Sequence, residues 1–203
     1  MTYTFVLVGT FFLGSLPFSV WLGYLVFHKD IRCYGDGNPG AANVFRAGNS
    51  VVGILAVLLD LFKGVPIVFF AGHSLHIPEN QLLFVAFSAI LGHAFSPFLH
   101  FRGGKAVAVT FGALIGLMRP ELLLPFAIAA IVGFLILKNH SWVVLFAPVV
   151  TMIWIIMNGT GAGTFVFMLG IAMLYLFKHT RDLAGGPLPN DWLHRWLQFR
   201  RKV

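Results

Sequence analysis

The residues with the most chemistry to offer lie in one polar stretch, Gly35-Asp36-Gly37-Asn38-Pro39-Gly40-Ala41-Ala42-Asn43-Val44-Phe45-Arg46, set between two hydrophobic runs. Glycine lets successive backbone N–H groups converge into a concave nest, and Arg46 adds a planar fork of donors that suits phosphate or carboxylate. Gly35, Gly37, Asn38, Gly40, Asn43 and Arg46 therefore read as an anion cradle, with a turn rich in helix breakers as the plain alternative. A second stretch, Arg102-Gly103-Gly104-Lys105, again sets paired glycines beside cations. Two such stretches next to apolar walls suit a ligand with an anionic head and a greasy tail, and both transport and lipid-phosphate chemistry are compatible with them.

What must position these stretches is membrane-spanning helix. Of 203 residues, 58% are hydrophobic and 10% charged, the composition of one integral-membrane domain over 1–203. A span takes about 20 apolar residues, so roughly seven crossings fit. The runs are Thr4 to Phe27, Val51 to Ala71, Leu82 to Phe101, Ala106 to Met118, Leu122 to Leu137, Trp142 to Met157 and Phe165 to Phe177, followed by a tail over 183–203. Gly14-Ser15-Leu16-Pro17-Phe18-Ser19 kinks the first run, where Ser15 and Ser19 can bond freed carbonyls and small residues let helices approach. Ala106 to Met118 covers only about 20 Å and is short for a span. Asp60 and Lys63, on one helical face, are costly at such depth and must pair or meet polar groups; a functional and a purely structural ion pair are both open.

Cys33 is the single cysteine, which excludes an intramolecular disulfide and a cysteine metal site. His73 and His76 read as interfacial residues rather than metal ligands, since no convincing partners accompany them. In the tail, Trp192, Leu193, Trp196 and Leu197 recur at helical spacing among basic residues, as in an amphipathic segment on an anionic leaflet or one packed on the bundle.

The formal charge of +7 follows membrane orientation, not a nucleic-acid partner. Alternating spans put Lys29, Arg32, Arg46, Arg102, Lys105, Lys138 and the tail from Lys178 on one side, and leave Arg119 on the other. The expected fold is an all-α polytopic transmembrane helical bundle of about seven helices, N-terminus outside and C-terminus cytoplasmic, with both glycine stretches, His140, Ser141 and His179 at one membrane face. The absence of paired in-membrane carboxylates argues against a proton-coupled carrier.

Gly14-Ser15-Leu16-Pro17, Gly35-x-Gly37-Asn38-Pro39-Gly40-Ala41-x-Asn43-Val44-x-Arg46, Leu59-Asp60-x-x-Lys63-Gly64, Gly92-His93-x-Phe95-x-Pro97-Phe98 and Phe101-x-Gly103-Gly104-Lys105 follow one another in a single register. Together they resemble the bacterial acyl-phosphate:glycerol-3-phosphate acyltransferases, the PlsY family. The resemblance implies a multi-pass enzyme of the bacterial inner membrane that moves a fatty acyl group from acyl phosphate to glycerol 3-phosphate, giving lysophosphatidate for phospholipid synthesis. By that analogy Asn43 and Arg46 help hold phosphate, Lys105 with Gly103 and Gly104 binds the glycerol 3-phosphate phosphate, Ser141 lines the site, and His179 orients or activates the acceptor. Neither a metal nor a dissociable cofactor is implied. The partners are the two substrates and membrane lipids, with a monomer as one open reading.

The chain also departs from the family pattern. Asp36 stands where the family usually has serine, Ala42 for threonine, Ala106 for a glycine and Asp182 for asparagine, and the usual Gly-x-Glu ending is missing near Gly186-Pro187. An anionic Asp36 either pairs with Arg46 or Lys105 and fills the cradle, or acts as a base toward a different acceptor. The alternative function is a divergent paralogue that binds or transports a lipid phosphate, or acylates another phosphorylated polyol.

Overall fold

Apolar runs punctuated by Gly, Pro and Ser dictate helices with sharp breaks, and the computed structural model, which describes residues 2–180 and 182–192, is all-α. Two compact units divide the chain, residues 1–119 and 120–203. Among the described residues five segments are long and apolar enough to cross a membrane, Thr2–Phe27, Ser50–His73, Glu79–Leu99, His140–Asn158 and Ala162–His179. Val107–Gly116 and Pro120–Ile136 are shorter apolar helices. The expected seven hydrophobic runs are thus present as five full-length segments and two short ones. Phe5, Leu25, Val51 and Met157 are each at least 75% exposed, which suits lipid and not water.

In the first unit, α1 (Thr2–Gly14) stops at the Gly-Ser-Leu-Pro sequence and α2 (Phe18–Phe27) resumes beyond it. Pro17 cannot continue the helix, and Ser15 Oγ donates to the freed Phe12 carbonyl at 2.7 Å. α1 packs on α6 (Glu79–Ala94) through small residues: a Cβ at Gly14 would overlap the Ala89 carbonyl, and one at Gly92 the Phe11 carbonyl. The short helix α3 (Ala41–Ala47) follows the polar loop.

The run from Val51 to Ala71 reads as one helix but is two. α4 (Ser50–Phe62) ends at Lys63-Gly64, and α5 (Val65–His73) starts with Pro66 in its first turn, where a missing N–H costs nothing. The break lets α7 (Val107–Gly116) cross closely: a Cβ at Gly64 would lie 2.7 Å from the Ala113 nitrogen, and one at Gly112 would overlap the Leu61 carbonyl. Beneath the polar loop, Val20, Ile31, Val44, Ala56 and Leu99 form a buried apolar cluster.

In the second unit, α8 (Pro120–Ile136), α9 (His140–Asn158) and α10 (Ala162–His179) pack in sequence order. The chain then returns to the end of α8: Asn190 N–H donates to the Ile136 carbonyl at 2.8 Å, and Trp192 Nε1 to the Leu135 carbonyl at 2.9 Å. The expected amphipathic helix beyond Trp192 lies outside the described residues.

Candidate active site

The polar loop begins on a rigid shoulder. Asp30 accepts from the Arg32 backbone at 2.9 Å and from its guanidinium at 2.7 Å, and the Tyr24 hydroxyl adds a third donor at 2.8 Å. The Arg32 hydrogen bond holds the Asp30 carboxyl well below the usual carboxylate range.

Asn43 is the centre of the loop. Fully buried at the start of α3, it donates through Nδ2 to the Asn38 carbonyl (2.9 Å) and to Asp36 Oδ1 (3.1 Å), and its Oδ1 accepts from Arg46 Nη1 at 2.6 Å. Gly35 passes beside this group at φ +54°, and a Cβ there would sit 2.6 Å from Asn43 Oδ1. Only glycine meets both demands. Gly37 also takes a positive φ, +72°, while a Cβ at Gly40 would lie 2.7 Å from Asn38 Nδ2.

The two glycine stretches meet at Asp36. Its Oδ2 accepts from Lys105 Nζ at 2.6 Å, its Oδ1 from the Asn38 backbone at 3.2 Å, and Arg46 Nη1 stands 3.6 Å from Oδ1. Both pairings expected for an anionic Asp36 are present. Burial pushes the Asp36 carboxyl up, but hydrogen bonds from Lys105, the Asn38 backbone and Asn43 outweigh it, and the group lies below its ordinary value. A carboxylate thus sits between the Lys105 and Arg46 cations.

Gly103 and Gly104 have a packing reason as well. A Cβ at Gly103 would overlap the His93 carbonyl, and one at Gly104 the His93 Nε2 atom, while Gly104 N–H donates to the His93 carbonyl at 3.0 Å. Next in the chain, Ala106 adopts φ +62°, a left-handed conformation at a position where the family pattern has glycine. Arg32, Gly37, Leu99, His100 and Arg102 line an open cavity of about 580 Å³ beside the loop.

Asp60 and Lys63 pair at 2.8 Å with side chains about 4% exposed. The Ser19 hydroxyl donates to Asp60 Oδ2 at 2.8 Å, Lys63 Nζ donates to the Leu16 carbonyl at 2.9 Å, and His93 Nδ1 lies 3.9 Å from Asp60 Oδ1. The sequence treats Ser19 as a packing residue; its hydroxyl serves the carboxylate instead. A buried carboxylate with one lysine still has a second oxygen to satisfy, and that demand was the available signal.

In the second unit, His179 at the end of α10 and Ser141 in the first turn of α9 are brought together, with His179 Nδ1 2.9 Å from Ser141 Oγ, both buried. Asn139 accepts from Ser141 N–H at 3.0 Å, capping α9, and its amide donates to the Asp182 carbonyl at 2.8 Å. Among the described residues no group of three or more His, Cys, Asp or Glu is placed to hold a metal ion.

A family profile described as glycerol-3-phosphate acyltransferase matches residues 4–185. A glycerol-3-phosphate acyltransferase of Brucella anthropi is 35% identical over 178 residues, covering 88% of this chain and 86% of that protein. Glycerol-3-phosphate acyltransferase 2 of Lactobacillus acidophilus is 46% identical over 111 residues, 52% of this chain and 50% of that protein. In that relative and one other the match spans half of the length or less. Among solved structures, PlsY, an integral membrane glycerol 3-phosphate acyltransferase, aligns in its glycerol 3-phosphate form with a TM-score of 0.82 at 26% identity, covering 97% of this chain and 99% of that one. Its lysophosphatidic acid form aligns at 0.80, with the same identity, over 95% and 97%.

Proposed function

This chain belongs to the PlsY-type glycerol-3-phosphate acyltransferase family, and from that premise we propose that it moves a fatty acyl group from acyl phosphate to glycerol 3-phosphate, making lysophosphatidate. The observation that carries the reading is the meeting of Lys105 and Arg46 around Asp36, two cations from separate stretches converging on one small anionic group. PlsY has been solved with glycerol 3-phosphate and with lysophosphatidic acid, the acceptor and the product of such a transfer.

The chemistry asks little of the protein beyond positioning. In acyl phosphate, a mixed anhydride, the acceptor hydroxyl oxygen attacks the acyl carbon, the bond to the phosphate oxygen breaks, and inorganic phosphate departs. The site must hold two phosphates against mutual repulsion and support the oxyanion that forms at the acyl carbon. Lys105 and Arg46, with the backbone of Gly35, Gly37, Gly40, Gly103 and Gly104 and the carboxamides of Asn38 and Asn43, are the proposed phosphate-binding groups. His179, held by Ser141, orients the acceptor hydroxyl and takes its proton, or the leaving phosphate takes it. Asp36 acts as an internal anion that keeps the two cations gathered until substrate displaces it; a carboxylate held below its ordinary value is a poor base.

The same reading takes 1–203 as one acyltransferase domain of a bacterial inner membrane, crossing it seven times, with the N-terminus outside, the C-terminus cytoplasmic and 183–203 a tail. Purified protein given palmitoyl phosphate and glycerol 3-phosphate is expected to release phosphate and form lysophosphatidate, while Lys105→Ala stays at background. No product above that control rejects the reaction.

Asp36 also supports a second reading. Because its carboxylate meets both cations, a divergent member that binds or transports a lipid phosphate without turnover, or acylates another phosphorylated polyol, fits the same cradle. Saturable binding without product, or product only from another acceptor in a panel of phosphorylated polyols, selects it.

A further inference from the structure

Three contacts converge on His93, a residue with no part in the proposed reaction. On one side its Nδ1 faces Asp60 Oδ1 at 3.9 Å, a carboxylate fixed by Lys63 and by Ser19 at 2.8 Å each. On the other, its carbonyl accepts from Gly104 N–H at 3.0 Å, and its Nε2 lies where any Cβ on Gly104 would have to go. Its side chain is 8% exposed. Pro39 of the first glycine stretch and Gly104 of the second line one small void together with Asp60, Lys63 and His93, of about 10 Å³, close to the room one water needs. The buried charges therefore share one void with a residue from each glycine stretch.

An ion pair inside a membrane span costs free energy that two apolar side chains would not, so packing alone is a weak account of it. What it supplies is a fixed direction: the carboxylate cannot turn, because both of its oxygens are engaged, and the imidazole is wedged between it and the loop that ends in Lys105. We propose that His93 is a positioning residue for the phosphate cradle, braced by Asp60, Lys63 and Ser19, and that it sets the position of Gly104 and hence the reach of Lys105 toward phosphate. The proposal deepens the acyltransferase reading, and its kinetic arm rests on it.

The test uses the full-length protein in lipid nanodiscs, with amide hydrogen exchange of residues 103–106 measured beside kcat and KM for glycerol 3-phosphate. His93→Ala is expected to speed exchange of that loop by about tenfold or more, and to raise KM about tenfold with kcat within twofold. His93→Gln, which keeps a hydrogen-bonding tip, restores most of both. Gly104→Ala alone raises KM similarly, but adds little in the His93→Ala background, where the methyl enters vacated space. Unchanged loop exchange in His93→Ala overturns the proposal, as does a fall in thermal stability with KM and exchange unmoved, or defects that multiply in the double variant. Should His93→Ala not fold, His93→Asn, which shortens the prop, carries the same measurements. Absence of turnover in the unmodified protein rejects the acyltransferase reading alone, and loop exchange then decides the role of His93.

Discussion

Lys105 Nζ donates to Asp36 Oδ2 at 2.6 Å across 69 residues of sequence, and this bond ties the two glycine stretches together. Both groups are partly exposed, at 22% and 31% of their side-chain surface, so the pair is open to exchange with an incoming anion. In the proposed reaction a phosphate would displace this carboxylate, bringing more charge and more acceptor oxygens.

Replacing Asp36 by Ser is therefore expected to lower KM for glycerol 3-phosphate about three- to tenfold, the worth of roughly 1 kcal/mol for a partly exposed ion pair. Initial rates over a range of acceptor concentrations measure this. A fall in kcat with KM unchanged would instead give Asp36 a part in proton transfer.

The Asp36 titration makes a separate statement. Its carboxyl lies below the ordinary value of 3.8, so the contacts it makes stabilise the fold fully above that value and are lost as pH falls through the lower, folded one. Between about pH 5 and 9 the group stays ionised. Rate profiles of Asp36→Asn and the unmodified enzyme over that range are expected to differ in level and share one shape. A limb that vanishes in the variant contradicts this.

Much of the polar cluster around Asp36 was legible from residue types. Paired glycines beside cations pointed to Arg46, Lys105 and their neighbours, and the alternatives for Asp36 were visible from its charge. The helix break at Lys63-Gly64 was not, because Val51 to Ala71 reads as one apolar run; the structure breaks it at Gly64, just ahead of Pro66, where α7 approaches closely. The role of Ser19 was hidden for a similar reason: its partner Asp60 is 41 residues away, and serine in a kinked span has a sufficient local explanation. Gly103 and Gly104 pack closely against His93, a demand that sequence alone does not show, since there they read only as backbone donors beside cations.

The buried pair makes a stability prediction. Asp60→Ala strands Lys63 in an apolar span and is expected to cost about 3–5 kcal/mol, whereas Asp60→Leu combined with Lys63→Met removes both charges and costs much less. Thermal unfolding in detergent of the single and double variants checks the order. Equal losses would mean that the Asp60–Lys63 bond itself, not the stranded charge, carries the effect.

Ala106 holds φ +62° directly after Lys105, a conformation that disfavours a Cβ by about 1 kcal/mol. Ala106→Gly relieves that strain but loosens the unfolded chain, so a net gain of up to about 0.5 kcal/mol is expected. Denaturant or thermal titration reads the change, and a loss of stability would show that the alanine methyl, 1% exposed in the core, contributes more by packing than it costs in strain.

The contact between Ser141 Oγ and His179 Nδ1 at 2.9 Å separates two roles for the serine. If Ser141 acts by holding the imidazole, Ser141→Ala lets the ring turn and is expected to lower kcat about ten- to a hundredfold, from the loss of one buried hydrogen bond and the misaligned proton acceptor. KM for glycerol 3-phosphate then changes little, and adding His179→Ala to Ser141→Ala costs less than His179→Ala does alone. If Ser141 instead touches phosphate, KM rises and the two substitutions multiply. Steady-state kinetics on the two single variants and the double variant distinguish these outcomes, since each role moves a different constant.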